Sequence, residues 1–371
     1  MKGARDTGAN PVLALLLSGA GGAGMAWLGL PLPWIVGPMA AMAAANLSGA
    51  ELRPPPGGRQ LGQIVIGTVL GLYFTPAVAR ELATVWHVLV AAALLALVLA
   101  WWSGWLLSRI SGTDRTTTFF ASVPGGAAEM VVLGERFGAR ADRVALAQSL
   151  RLLAVVIVVP YALTLSGAHG LETGLPAPVP LAYTRLGLLL AIAAACGALL
   201  ALARIANPFM LGPLFAVTAL TAGEVQFSSI PGWLSNLGQM LLGCALGARF
   251  ERRAFAALPR YVVAVLASIA AAITLAALAG AALAAFSGLA VPSVVLATAP
   301  GGIAEMCITA QVLQLGVPLV TAAHVTRVIV LVTATGPIFR LARRFAARRG
   351  GCCRRRSGGR PARFPRRPGQ R

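Results

Sequence analysis

Negative charge is scarce in this chain. Eleven Asp and Glu stand against 31 Lys and Arg, and charged residues of either sign make up 11% of its 371 residues. Soluble domains carry about 25% charged residues, so a water-soluble globular fold is excluded. Histidine is scarcer still, with three copies, and the five cysteines show no metal-ligand spacing. His87, His169 and His324 are too scattered to form a metal site together. Without a His, Cys and carboxylate cluster, an oxygenase centre has no ligands. No nucleophile–base set or phosphate loop is present either. Catalytic residues, cofactors and bound metals are therefore not expected, and the chain does not read as an enzyme. Cys196, Cys244 and Cys307 read as small apolar fillers, and Cys352 and Cys353 as tail residues.

What the chain has in abundance is apolar length. It is 57% hydrophobic, and runs such as Trp86 to Leu107 and Tyr261 to Phe286 exceed the about 20 residues that cross a bilayer as a helix. The formal charge of +20 is concentrated: 13 of the basic residues lie from Arg340 onward. That segment, rich in Arg, Gly and Pro, is expected to be disordered and to act as a solvated cytoplasmic anchor. Lys2 and Arg5 ahead of Val12 to Leu17 mimic a signal peptide. Residues 11–30 nevertheless occupy the place that 181–203 take later in the chain, so a retained first helix is expected.

The chain is duplicated. Ser122-Val-Pro-Gly-Gly-Ala-Ala-Glu-Met130 returns as Thr298-Ala-Pro-Gly-Gly-Ile-Ala-Glu-Met306, an offset of 176. Leu61-Gly-Gln63 returns as Leu237-Gly-Gln239, Gln148 aligns with His324, and Arg151 with Arg327, all at 176. Pro33-Trp-Ile-Val-Gly-Pro-Met39 returns as Pro208-Phe-Met-Leu-Gly-Pro-Leu214 at 175. The expected organisation is a first membrane repeat over 10–167, a second over 180–340, and the tail over 341–371. Such duplications mark membrane carriers.

Charge placement predicts topology. Apolar segments fall near 11–30, 34–48, 60–74, 84–108 and 143–166, with partners near 181–203, 207–223, 232–249, 260–287 and 318–340. Each Pro-Gly-Gly segment, near 116–136 and 292–316, is too polar and too broken for a simple span. If each enters and leaves on one face, Lys2, Arg5 and twelve arginines between Arg53 and Arg260 lie inside, while Arg80 and Arg185 lie outside. The expected fold is all-α and polytopic. It has two inverted-topology repeats, each of five transmembrane helices plus one re-entrant Pro-Gly-Gly hairpin. Both termini are expected in the cytoplasm, in a bacterial inner membrane.

Irregular backbone at membrane depth needs protein or a cavity around it. Pro124-Gly125-Gly126 and Pro300-Gly301-Gly302 supply such breaks, and the helix starts that follow offer free N–H groups to an anion. Glu129 and Glu305 come one turn later. Arg151 lies nine residues after Asp142, roughly 13 Å along a helix, and Arg327 is placed likewise after Pro318. Buried charges of both signs suggest Glu129–Arg151 and Glu305–Arg327 pairs, with substrate or ion contact as the functional reading. Gln63 and Gln239 read as glue between Gly-rich helices. His324 is a protonatable group near the site or a packing residue.

The paired Pro-Gly-Gly-x-Ala-Glu-Met motifs, each followed by Arg in the next helix, resemble the AbrB-type duplicated bacterial membrane proteins, over most of residues 10–340. Members carry labels as regulators of gene expression or as ammonia monooxygenases. The layout, with a hairpin between fourth and fifth helices, also resembles citrate and glutamate sodium symporters in architecture. A secondary transporter of a small anionic solute is the expected function. A membrane-bound regulator, as the family label implies, is the alternative, and a monooxygenase is the least supported. The expected partners are the solute, H+ or Na+ as coupling ion, and the lipid bilayer. A homodimer is compatible with this reading, and nucleic acid is not expected.

Overall fold

The computed structural model describes residues 10–331 and 333, except 169, 171–179, 226, 251, 253–257 and 332. His169, Lys2, Arg5, Arg253, the end of the second repeat beyond 333 and the Arg-rich tail lie outside them. By compactness the chain divides into Met1–Leu331 and Val332–Arg371, and every helix named here belongs to the first unit.

Among the described residues the secondary structure is all helical. The first copy holds α1 (Pro11–Trp27), α2 (Pro33–Ser48), α3 (Gly58–Gly71), α4 (Pro76–Thr84), α5 (Trp86–Ser111), α6 (Arg115–Ser122), α7 (Ala127–Arg136) and α8 (Ala141–Leu165). The second holds α9 (Tyr183–Leu202), α10 (Pro208–Ala222), α11 (Gly232–Gly247), α12 (Pro259–Ser287), α13 (Val291–Thr298), α14 (Ile303–Leu313) and α15 (Val317–Leu331). Proline at the first turn starts α1, α2, α4, α10, α12 and α13, where its missing N–H costs nothing.

Four helices, α5, α8, α9 and α12, are long and apolar enough to cross a membrane, and α3 with α4 makes a fifth if that pair, bent by 84°, counts as one span. The chain is thus a helical protein with several membrane-compatible spans. Helix α4 was not expected. Thr75 starts it by accepting from the Val78 amide, and its exposed Arg80 and Glu81 make it too polar to continue α3 through apolar surroundings.

The two copies interlock. Helix α2 packs on α11 and α3 on α10, so equivalent helices exchange partners. Equivalent α3 and α11 also cross each other in opposite directions. A Cβ on Gly62 would come within 2.7 Å of the Gly238 carbonyl, Gly58 faces Leu241, and Gly238 faces Val65. Only glycine lets two backbones approach this closely. The long helices α5 and α12 meet along small residues, with Ser103 Oγ and Ser268 Oγ 2.9 Å apart.

Each Pro-Gly-Gly break turns the chain back on itself. The Arg140 amide, beyond the end of α7, donates to Thr117 Oγ1 near the start of α6 at 2.9 Å. The Phe120 and Phe137 rings stack with centroids 5.8 Å apart. In the second copy Gly316, just past α14, faces Ser293 near the start of α13. The two arms of each pair are therefore antiparallel neighbours.

Candidate functional site

The spacing within Pro-Gly-Gly-x-Ala-Glu-Met has a local explanation. Gly126 and Gly302 are the N-cap residues of α7 and α14, and neither helix has a side-chain hydrogen bond at its cap. The Glu three residues on folds back over its glycine: a Cβ on Gly126 would collide with the Glu129 carboxylate, and one on Gly302 with that of Glu305. A carboxylate in the first turn complements the unpaired N–H groups and the positive helix end. Gly125 and Gly301 make room for the methionine five residues on, since an added Cβ would approach Met130 to 2.8 Å and Met306 to 2.7 Å.

The preceding arms, α6 and α13, end with carbonyls that no helix satisfies. The equivalent polar residues of α8 and α15 take them up. Gln148 Nε2 donates to the Phe120 carbonyl at 2.8 Å and to that of Val123 at 3.0 Å. Arg151 donates to the Val123 carbonyl at 3.0 Å and to Gln148 Oε1 at 2.8 Å. His324 Nε2 lies 3.2 Å from the Leu296 carbonyl, the counterpart of Phe120 at the same offset of 176. Arg327 donates to the Ala299 carbonyl at 2.6 Å and to that of Gly301. All four side chains are buried. His324 therefore serves here as a packing donor.

The expected Glu129–Arg151 and Glu305–Arg327 pairs do not form. Among the described residues the one ion pair within 4.0 Å is Arg140–Asp142, on the surface. The carboxylates lie over helix starts, and the guanidinium groups hold helix ends. Backbone dipoles on either side of the break already supply each charge with a partner of opposite sign, so direct pairing is not needed. Gln239 corrects another expectation. It bonds within its own helix to Ser235, whereas Gln63 does bridge helices, donating to Asn207 Oδ1 at 3.0 Å. The asymmetry follows from sequence, since Leu32 stands in the first copy where Asn207 stands in the second.

The two tips meet at one cavity of about 70 Å³. Pro124, Gly125 and Gly126 line it from one tip, and Gly301, Gly302 and Glu305 from the other. Arg151 and Arg327 reach it from α8 and α15, and Nε of each is buried without a hydrogen-bond partner. Pro300 borders an adjoining cavity instead. His324 is absent from the lining of the tip cavity. Arg59, Arg249 and Asn207 also line it and were not legible as site residues. Arg59 and Arg249 had looked like ordinary inward-facing charges near helix ends, and only tertiary packing turns them toward the tips. Four guanidinium groups thus surround one buried carboxylate, Glu305, and the two helix starts add positive dipole ends. Positive groups therefore outnumber negative ones around this cavity. No group of three or more His, Cys, Asp or Glu that could hold a metal occurs among the described residues.

Two relatives align with nearly the whole chain. "Uncharacterized protein YhjN" of Bacillus subtilis (strain 168) is 29% identical over 353 residues, covering 88% of this chain and 91% of that protein. "Putative regulator AbrB" of Escherichia coli (strain K12) is 27% identical over 329 residues, covering 88% of this chain and 93% of that protein. Residues 34–343 match the family described as "Transition state regulatory protein AbrB", a stretch that contains both Pro-Gly-Gly motifs and both arginines. The chain belongs to the AbrB family.

Proposed function

We propose that this protein is a secondary transporter of a small anionic solute, built from two inverted-topology repeats. One observation carries the reading: two hairpin tips, one from each copy, meet at a single cavity bordered by Arg59, Arg151, Arg249 and Arg327. Discontinuous helices whose positive ends face a shared central site are the working parts of carriers with alternating access. The antiparallel crossing of α3 and α11 supports inversion, because equivalent helices related by an axis in the membrane plane must run oppositely. Inward placement of arginines supports cytoplasmic ends in an inner membrane. Reporter fusions at positions 172 and 371 should then read outside and inside.

The chemistry is charge compensation. An arginine cluster inside apolar protein is costly. A bound anion offsets that cost. Glu305, buried beside the arginines, is the group that a co-transported H+ or Na+ would meet.

The test is solid-supported-membrane recording on proteoliposomes, with jumps of small carboxylates, amino acids and phosphate. Anion-dependent currents that survive truncation after residue 340 are expected. The family description and the name of the E. coli relative favour a second reading, a membrane-bound regulator. That reading predicts no current with any anion and a transcriptional phenotype abolished by removing the tail.

A further inference from the structure

A second cavity, of about 30 Å³, lies behind the hairpin tips between α5 and α12. It shares Pro124 and Arg151 with the polar chamber, and Thr298 and Pro300 bring the second break to its wall. Its character is opposite. Ala96, Ala100, Ala272 and Ile269 line it. The hydroxyls of Ser103 and Ser268 are engaged with each other, and that of Thr298 donates to the Ala276 carbonyl at 3.1 Å. Apart from these hydroxyls, Ser122 and the shared Arg151, the lining is apolar, so an alkyl group fits it better than a second charged or hydroxylated group.

Resting on the anion reading above, we infer that the solute is a short-chain monocarboxylate whose carboxylate occupies the polar chamber and whose alkyl end occupies the apolar one. The division of labour follows from the donors left over. The terminal nitrogens of Arg151 and Arg327 each already donate to a carbonyl or to Gln148 Oε1, whereas each Nε is buried and unpartnered. A planar carboxylate bridges two such N–H groups and accepts from a helix start as well. The size is bounded too. A water needs roughly 10–15 Å³ by the same measure, so the apolar chamber admits a chain of only two or three carbons beyond the carboxylate. Longer chains have to leave it.

The experiment measures affinity by thermal shift of the full-length protein in detergent, across acetate, propionate, butyrate, hexanoate and the neutral isostere butyramide. Each methylene should tighten binding about 4-fold, from the transfer free energy of one CH₂. Butyrate should therefore exceed acetate about 15-fold, with no further gain at hexanoate and no measurable binding of butyramide. In Ala100→Leu, which narrows the apolar chamber, the butyrate-to-acetate ratio should fall toward 1. The wild-type series decides the matter even if that variant does not fold. Equal affinities for acetate and butyrate, or tighter binding of a hydroxylated acid such as glycerate, would overturn this inference and leave the anion site standing. No binding of any carboxylate would likewise overturn this inference alone, since phosphate also satisfies the anion reading, whereas butyramide binding as tight as butyrate would overturn both.

Discussion

The two Pro-Gly-Gly hairpins share a sequence and a latch but not an environment. In the second, α14 is buried along almost its whole length, from Ile303 through Ala310, and Leu296, Ala297, Ala299, Ile303, Met306 and Ile308 belong to the largest apolar cluster. In the first, Met130 and Gly134 are the buried positions with described side chains in α7, while Val132, Glu135 and Arg136 are exposed. One motif thus serves in two mechanical settings. The polar contacts that define the break are local and survive duplication, whereas the packing around them depends on each copy's neighbours. The first hairpin, with fewer buried contacts, is therefore expected to have the lower local stability.

The largest effect that can break this comparison comes from the arginines. Arg327→Met strands the carbonyls of Ala299 and Gly301 in a buried site, and each orphaned group costs about 1–3 kcal/mol. A total loss of about 3 kcal/mol is expected in detergent unfolding. Arg151→Met leaves the Val123 carbonyl its Gln148 donor but orphans one buried acceptor, Gln148 Oε1, so it should cost about 1–2 kcal/mol. Equal losses would make the hairpins equivalent.

Glycine replacement comes next. Gly301→Leu must displace Met306 in a packed core and should cost about 2–3 kcal/mol, in the range of overpacking. Gly125→Leu displaces Met130 beside a half-exposed helix and should cost about 1 kcal/mol. Both variants should insert normally and lose anion-driven current. Retained current in both would reduce the motif to a packing turn.

Hydrogen exchange sharpens the contrast without mutation. Amides of α7 should exchange at least about tenfold faster than those of α14, equivalent to about 1.4 kcal/mol of local stability. Slower exchange in α7 would reverse the expected order of local stability. The smallest effect is expected at the one latch position where the copies differ. His324→Gln installs the residue that already performs this task at Gln148 and should change stability by under about 1 kcal/mol. His324→Leu, which strands the Leu296 carbonyl, should cost about 1–2 kcal/mol. A large loss in His324→Gln that Leu does not exceed would show that the imidazole does more than donate to that carbonyl.

The primary structure alone determined that this chain is helical and apolar, that it is duplicated at an offset of 176, and that its breaks lie at Pro124–Gly126 and Pro300–Gly302. Apolar runs, proline and glycine constrain the backbone within a few residues, so they are legible locally. It also marked Arg151 and Arg327 as residues of consequence, because a guanidinium in an apolar helix needs a partner. Which partner was a tertiary matter. Glu129 and Glu305 were the available opposite charges by composition, but folding brought carbonyl ends to the arginines and left each carboxylate over its own helix start. The placement of Arg59 and Arg249 beside the tips, the Gln63–Asn207 bridge and the apolar chamber behind Arg151 all depend on helices distant in sequence. Only the assembled fold decides which polar groups lose water together, and therefore which of them must satisfy one another.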